Sequence, residues 1–107
     1  MALNIKRNDT RTAIKAVLKS PRGNPVNLSG ATVKFIMAKY IKGTVLVDRE
    51  ADVLDQENGV VCFVFTVDEV TSLGMMKAEF EVTYEDDSTE TFPNQGYILI
   101  NFESDLA

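Results

Sequence analysis

The residues able to do chemistry are few, and their spacing narrows the choice further. The 107-residue sequence contains no histidine and a single cysteine, Cys62, so Ser-His-Asp and Cys-His catalysis lack their base. One cysteine also forms no disulfide within the chain and leaves the cysteine-rich zinc patterns closed. Cys62 stands in the apolar run 60–65, where a small buried hydrophobe is the expectation. Carboxylates remain. Asp48, Glu50, Asp52, Asp55 and Glu57 lie near alternate positions, as oxygen ligands converging on calcium from a strand would. The glycine-containing, helix-flanked calcium loop is missing, however, and a solvated acidic face explains the run as well. Glu85, Asp86 and Asp87 form a second acidic group, in an expected hairpin loop. Neither a metal nor a cofactor is expected from these groups, and nothing nominates lysine-based or paired-carboxylate catalysis. The chain reads as a non-enzyme.

Basic residues cluster modestly as Lys6, Arg7 and Arg11, then as Lys15, Lys19 and Arg22. Such groups suit an acidic neighbour across a protein interface. The formal net charge of -5 opposes a phosphate backbone, so nucleic acid is not an expected partner. No glycine-rich phosphate loop, Walker motif or dinucleotide fingerprint is present. Tyr40, Tyr84 and Tyr97 fall on different strand faces and define no carbohydrate platform.

These groups must be positioned by short strands. A composition 45% hydrophobic and 25% charged belongs to a folded globular chain, and its length fits one domain, residues 1–107. No run approaches membrane-spanning length, and the N-terminus lacks the apolar core of a signal peptide. Synthesis and folding in the cytoplasm are therefore expected, with no membrane partner.

Alternation of apolar and polar residues marks the elements. Leu3, Ile5 and Arg7 alternate with Asn4 and Lys6, giving residues 1–11 the character of an N-terminal arm or edge strand. Residues 12–19 aim Ile14, Ala16 and Leu18 inward, and the Pro- and Gly-rich segment 20–25 is a turn. In 32–40, Val33, Phe35 and Met37 face the core. Val45 and Val47 share a face in the next strand, while Asp48, Arg49 and Glu50 read as an exposed bend or edge. Asn58-Gly59 suits a tight turn. Val61, Phe63 and Phe65 point inward, and 68–73 reads as a short helical crossover capped by Thr66 or Asp68 and ended by Gly74. Residues 76–84 put Ala78, Phe80, Val82 and Tyr84 on one dry face. A return strand begins at Thr89, Pro93 interrupts it as a bulge or bend near an edge, and Ile98, Ile100 and Phe102 share a face in the last strand. The pattern predicts an all-β, immunoglobulin-like antiparallel β-sandwich of about seven to nine short strands with one helical crossover. The Cys–Trp–Cys pin of antibody domains is absent, so the likeness concerns architecture alone.

A sandwich must pair, cover or protect its outer strands. The arm carrying Leu3, Ile5 and Arg7 is the candidate interface, docking on its own sheet or on a neighbour's. At the bend, Phe92, Pro93, Asn94, Gly96 and Tyr97 are expected to hold a shaped backbone, with Phe92 and Tyr97 packing beside it.

Four segments in this order, Leu28-Ser29-Gly30-Ala31-Thr32-Val33-Lys34-Phe35, Asn58-Gly59-Val60-Val61, Lys77-Ala78-Glu79-Phe80-Glu81-Val82 and Thr91-Phe92-Pro93-Asn94-Gln95-Gly96-Tyr97, resemble the N-terminal domain of phage baseplate upper proteins. The resemblance runs from about residue 14 to residue 106, and its most specific element is Thr-Phe-Pro-Asn-x-Gly-Tyr. It implies an immunoglobulin-like sandwich without enzymatic activity that attaches to other virion proteins. The expectation is a structural component of a phage or prophage tail, baseplate or neck, made in the bacterial host cytoplasm. Its partners would be other tail or baseplate proteins or further copies of itself. The sequence ends after the last strand, which favours a small accessory subunit over an anchoring arm. The runner-up is a carbohydrate- or host-surface-binding module using loops near Tyr40, Tyr84 or Asp87.

Overall fold

The computed structural model describes residues 3–104. Met1 and Ala2 of the expected arm, and residues 105–107 of the expected domain, lie outside the described residues.

Among the described residues nine strands and one 3-10 helix follow in order: β1 (Leu3–Lys6), β2 (Ala13–Val17), β3 (Thr32–Lys39), β4 (Val45–Glu50), β5 (Asp52–Asp55), β6 (Val60–Val64), the helix (Val67–Val70), β7 (Gly74–Thr83), β8 (Thr89–Phe92) and β9 (Ile98–Glu103). They form two sheets. The larger runs β1-β9-β7-β3-β4, with β8 also on β7, and the smaller runs β2-β6-β5. The all-β, immunoglobulin-like sandwich is therefore present, with one refinement to the antiparallel expectation. β1 pairs with β9 in parallel, Ile5 opposite Phe102, so the larger sheet is mixed.

Period-two burial joins the sheets. β3 buries Val33, Phe35 and Met37, β6 buries Val61 and Phe63, and β7 buries Met76, Ala78, Phe80 and Val82, as alternation along a half-buried strand requires. Phe35 of the larger sheet stacks on Phe63 of the smaller, ring centroids 4.3 Å apart. Phe65 and Phe80 meet Phe35 edge-on at 5.9 and 5.2 Å, and Phe102 meets Phe65 at 5.7 Å. Each such ring contributes roughly 1.5–3 kcal/mol by leaving water, with a further contribution from offset and edge-on contacts. The described core contains no polar or charged residue.

Two expectations about side-chain direction are corrected. Val47 is buried, whereas Val45 is exposed, because the β3–β4 register shifts between Met37 and Ala38. The extra residue on β4 turns Val45 outward. Cys62 is only partly buried. With Val61 and Phe63 in the core, the pleat sends Cys62 to the outer face of the smaller sheet.

The helix takes Thr66 as N-cap and starts one residue earlier than expected. The backbone N–H of Thr66 donates to Glu69 Oε1 at 2.7 Å, and the helix stops at a C-cap on Thr71. Gly74 does not end it; with φ +105° it opens β7.

Candidate protein-contact surface

The acidic run proposed as oxygen ligands is divided by the fold. Ala51, buried and donating its N–H to the Val33 carbonyl at 2.8 Å, carries the chain from β4 in the larger sheet to β5 in the smaller. Asp48 and Glu50 consequently stand on one sheet, Asp52 and Asp55 on the other. Asp48 takes Lys34 Nζ at 2.8 Å, whose ammonium is pushed above its ordinary pKa by the hydrogen bond and charge of Asp48. Asp55 accepts from Asn58 Nδ2 at 2.9 Å. Among the described residues no group of three or more His, Cys, Asp or Glu is placed to hold a metal ion. In the second acidic group, Asp86 accepts from the Ser88 hydroxyl and backbone N–H, which together hold its carboxyl below the usual range. That loop closes the β7–β8 hairpin, and the Ser88 contact is the local hydrogen bond of a turn. No helix among the described residues is long and apolar enough to cross a membrane.

The N-terminal arm docks on its own chain. Ile5 is 3% exposed and packs in the core, while Leu3 is half exposed. The Arg7 N–H donates to the Glu103 carbonyl at 2.7 Å, and the Asn8 N–H to the Val70 carbonyl at 2.8 Å. These bonds fasten both ends of the turn after β1, one to β9 and one to the helix. Of the arm's candidate contacts, Ile5 spends its side chain inward.

The bend occupies an interruption in one ladder. Phe80 of β7 pairs with Phe92 at the end of β8, and Ala78 pairs with Ile98 at the start of β9. Only Glu79 separates Ala78 from Phe80, so residues 93–97 leave the sheet as an excursion. Asn94 Nδ2 pins its near side by donating to the Thr91 carbonyl at 3.0 Å. Phe92 is buried, whereas Tyr97 is half exposed. On the flank between β2 and this bend runs an open, largely apolar groove of about 380 Å³ lined by Val17, Lys19, Phe92, Pro93 and Ile98 among others.

Tyr97 turns toward Lys77. The ammonium of Lys77 lies 5.0 Å from the Tyr97 ring centroid and 6.0 Å from that of Tyr40. Register explains the meeting: Lys77 pairs with Ala38 of β3 on one side and Leu99 of β9 on the other. Tyr40 and Tyr97 are each two residues beyond those partners, and their rings reach back over one lysine as cation–π contacts. On the Tyr40 side of Lys77, Ile41, Leu73 and Met75 add exposed apolar surface, Ile41 being 76% exposed. Tyr40, Ile41, Leu73 and Met75 line a common depression there, and the Tyr40 N–H donates to the Met75 carbonyl at 3.1 Å. Exposed apolar side chains gathered in one depression, with Lys39 on its wall, offer a surface on which a partner can settle. Tyr84, the third tyrosine, sits on the far end of β7 and donates to Glu90 Oε1 at 2.8 Å; burial, helped by Glu90, pushes its phenol up to about 12. Sequence reasoning missed the pairing of Tyr40 with Tyr97 because it depends on which strands flank β7, and alternation within a strand carries no signal of its neighbours.

The family model for the BppU N-terminal domain matches residues 5–94. Among solved structures, the N-terminal domain of phage TP901-1 ORF48 superposes with a TM-score of 0.66 at 17% identity, over 98% of this chain and 85% of that one. The crystal structure of CopC from Methylosinus trichosporium OB3b superposes with a TM-score of 0.58 at 10% identity, over 99% and 87%. At these identities the likeness is one of fold. No curated protein matches the sequence.

Proposed function

The chain belongs to the BppU N-terminal domain family, and from that premise we propose that it is a non-enzymatic structural component of a phage or prophage tail, baseplate or neck, working through protein–protein contacts. The observation that carries this reading is the exposed depression lined by Tyr40, Ile41, Leu73 and Met75, which Lys77 links to Tyr97 farther along the same sheet face. Exposed aromatic and methionine side chains, here with Lys39 and Lys77 among them, are enriched at protein interfaces. The fold-level likeness to a phage domain supports the same setting. The partners proposed are other tail or baseplate proteins, and the location is the virion, after synthesis in the host cytoplasm.

The test is to purify particles from the phage or prophage that encodes the chain and to quantify it by mass spectrometry. It should co-purify with tails at a fixed ratio to the other tail proteins, and Tyr40→Ser with Ile41→Ser should lower that ratio several-fold while the isolated domain stays folded. Particles of full infectivity that lack the chain would refute the structural role.

A further inference from the structure

The smaller sheet ends on two strands of opposite charge. Among the described residues β2 pairs only with β6, and so does β5, so each presents an edge whose alternate N–H and C=O groups face outward. Every residue of β5 is exposed, as are Ala13, Lys15 and Val17 of β2.

The charge follows the chain. Between residues 10 and 47 there is no Asp or Glu; between residues 48 and 103 the only basic residues are Arg49 and Lys77. The β2 side therefore carries Arg11, Lys15, Lys19 and Arg22, all exposed and none within ion-pair distance of a described carboxylate. The β5 side carries Asp52, Asp55 and Glu57, also exposed. Lys15 and Asp52 both pair with Cys62, so one row across the outer face reads Lys15, Cys62, Asp52, positive at one edge and negative at the other. The next row reads Val17, Val60, Asp55. Beside it the register shift between Val53 and Asp55 throws Leu54 outward, 57% exposed.

We propose that a second copy of this chain docks here head to tail, β5 of one copy adding to β2 of the next. Since β2 and β5 are each antiparallel to β6, they run in the same direction, and a copy stepped along the sheet offers a parallel pair. In-register continuation sets Asp52 against Lys15 of the next copy and Leu54 beside its Val17. Like charge on each edge opposes β2 meeting β2 and β5 meeting β5, so the two strips select the heterologous contact and reject the symmetric ones. Such a contact closes into a ring where the rotation per step allows and otherwise grows as a filament. The inference stands on edges and charges, independently of the virion reading: a chain that stays monomeric overturns it and leaves attachment to a separate tail protein intact.

Sedimentation velocity on the full chain over a concentration series tests it. At about 50 mM salt the chain should form species beyond a dimer, and about 500 mM salt should weaken association by about tenfold, since exposed charges are screened. Lys15→Glu and Asp52→Lys should each abolish association with an unchanged circular dichroism spectrum and melting temperature. Mixing the two single variants, or combining both changes in one chain, should restore it, because each then sets a carboxylate against an ammonium again. A monomer at every concentration overturns the proposal. So does association that survives both single variants, or a loss that neither the mixture nor the double variant repairs.

Discussion

Arg49 and Glu69 form a two-pronged pair, Nε to Oε2 at 2.7 Å and Nη2 to Oε1 at 2.8 Å, although one belongs to β4 and the other to the helix. Arg49 pairs in register with Phe35, so its side chain points between the sheets, at the edge. There its guanidinium lies 4.2 Å over the Phe63 ring, and Nη2 donates to the Val64 carbonyl at 2.6 Å. Since β5 begins at Asp52 opposite Cys62, Val64 lies beyond the reach of β5. Arg49 takes the place of the missing strand.

Arg49→Ala should therefore cost about 1–2 kcal/mol, at the low end for hydrogen bonds to charged groups because the arginine is partly exposed. Arg49→Lys should recover little of this, since an ammonium does not reproduce the planar fork or the stacking on Phe63. Urea denaturation of the three proteins checks the order.

Acid should expose the same pair. The hydrogen bonds from Arg49 hold the Glu69 carboxyl below its ordinary pKa of 4.5, against the opposing effect of burial and with help from the Thr66 N–H. A depressed folded pKa means that the unfolded chain binds more protons, so this contribution is complete above about pH 4.5 and is lost as pH falls through the folded value. Glu69→Gln should flatten that part of the stability curve. Chemical denaturation at a series of pH values from about 6 to about 3 measures it.

Alkali should act through Tyr84 in the opposite sense. Its pKa rises from 10.0 to about 12, so its stabilisation is whole below pH 10 and disappears between about 10 and 12, where the unfolded phenol ionises first. Tyr84→Phe should remove the phenolate absorbance step near pH 12 and the accompanying loss of stability.

Phe63→Ala should be among the most damaging single changes, about 3–5 kcal/mol. The ring is 1% exposed, stacks on Phe35 and supports Arg49. Phe63→Leu should cost less than half as much. A loss for the alanine variant below about 1 kcal/mol would mean that the sheets close over the gap.

Gly59→Ala and Gly43→Ala separate crowding from backbone strain. Both glycines have similar positive φ, +68° and +69°. A Cβ on Gly59 would stand 2.7 Å from the Leu18 carbonyl oxygen and 2.8 Å from that of Val26, whereas one on Gly43 would meet open space. Gly43→Ala should cost about 1 kcal/mol for the left-handed backbone. Gly59→Ala should cost at least about twice that, read as a lower melting temperature, because two backbone segments must move.

Much of the core was legible as alternation. Val33, Phe35, Met37, Val61, Phe63, Phe65, Ala78, Phe80 and Val82 are all buried, since a pleated strand with one wet face admits only one phase. What stayed hidden depends on events between strands. Ala51 moves the chain from one sheet to the other without any turn residue to announce it, which is why the run from Asp48 to Glu57 looked like a single ligand face. The bulge that exposes Val45 leaves no mark in composition. Cys62 could have been placed from the phase of Val61 and Phe63, and its general tendency toward burial pointed the wrong way. The meeting of Tyr40 and Tyr97 over Lys77 requires the order β9-β7-β3, which pairwise spacing does not contain.

The excursion at 93–97 makes β8 and β9 two halves of one interrupted strand, each held separately by β7. The chain can thus be cut at its exposed tip, between Gln95 and Gly96, with neither half losing its ladder. New termini or a foreign peptide placed there would ride on the finished sandwich, on the flank away from β4 and β5 but beside Tyr97 and the groove along β2.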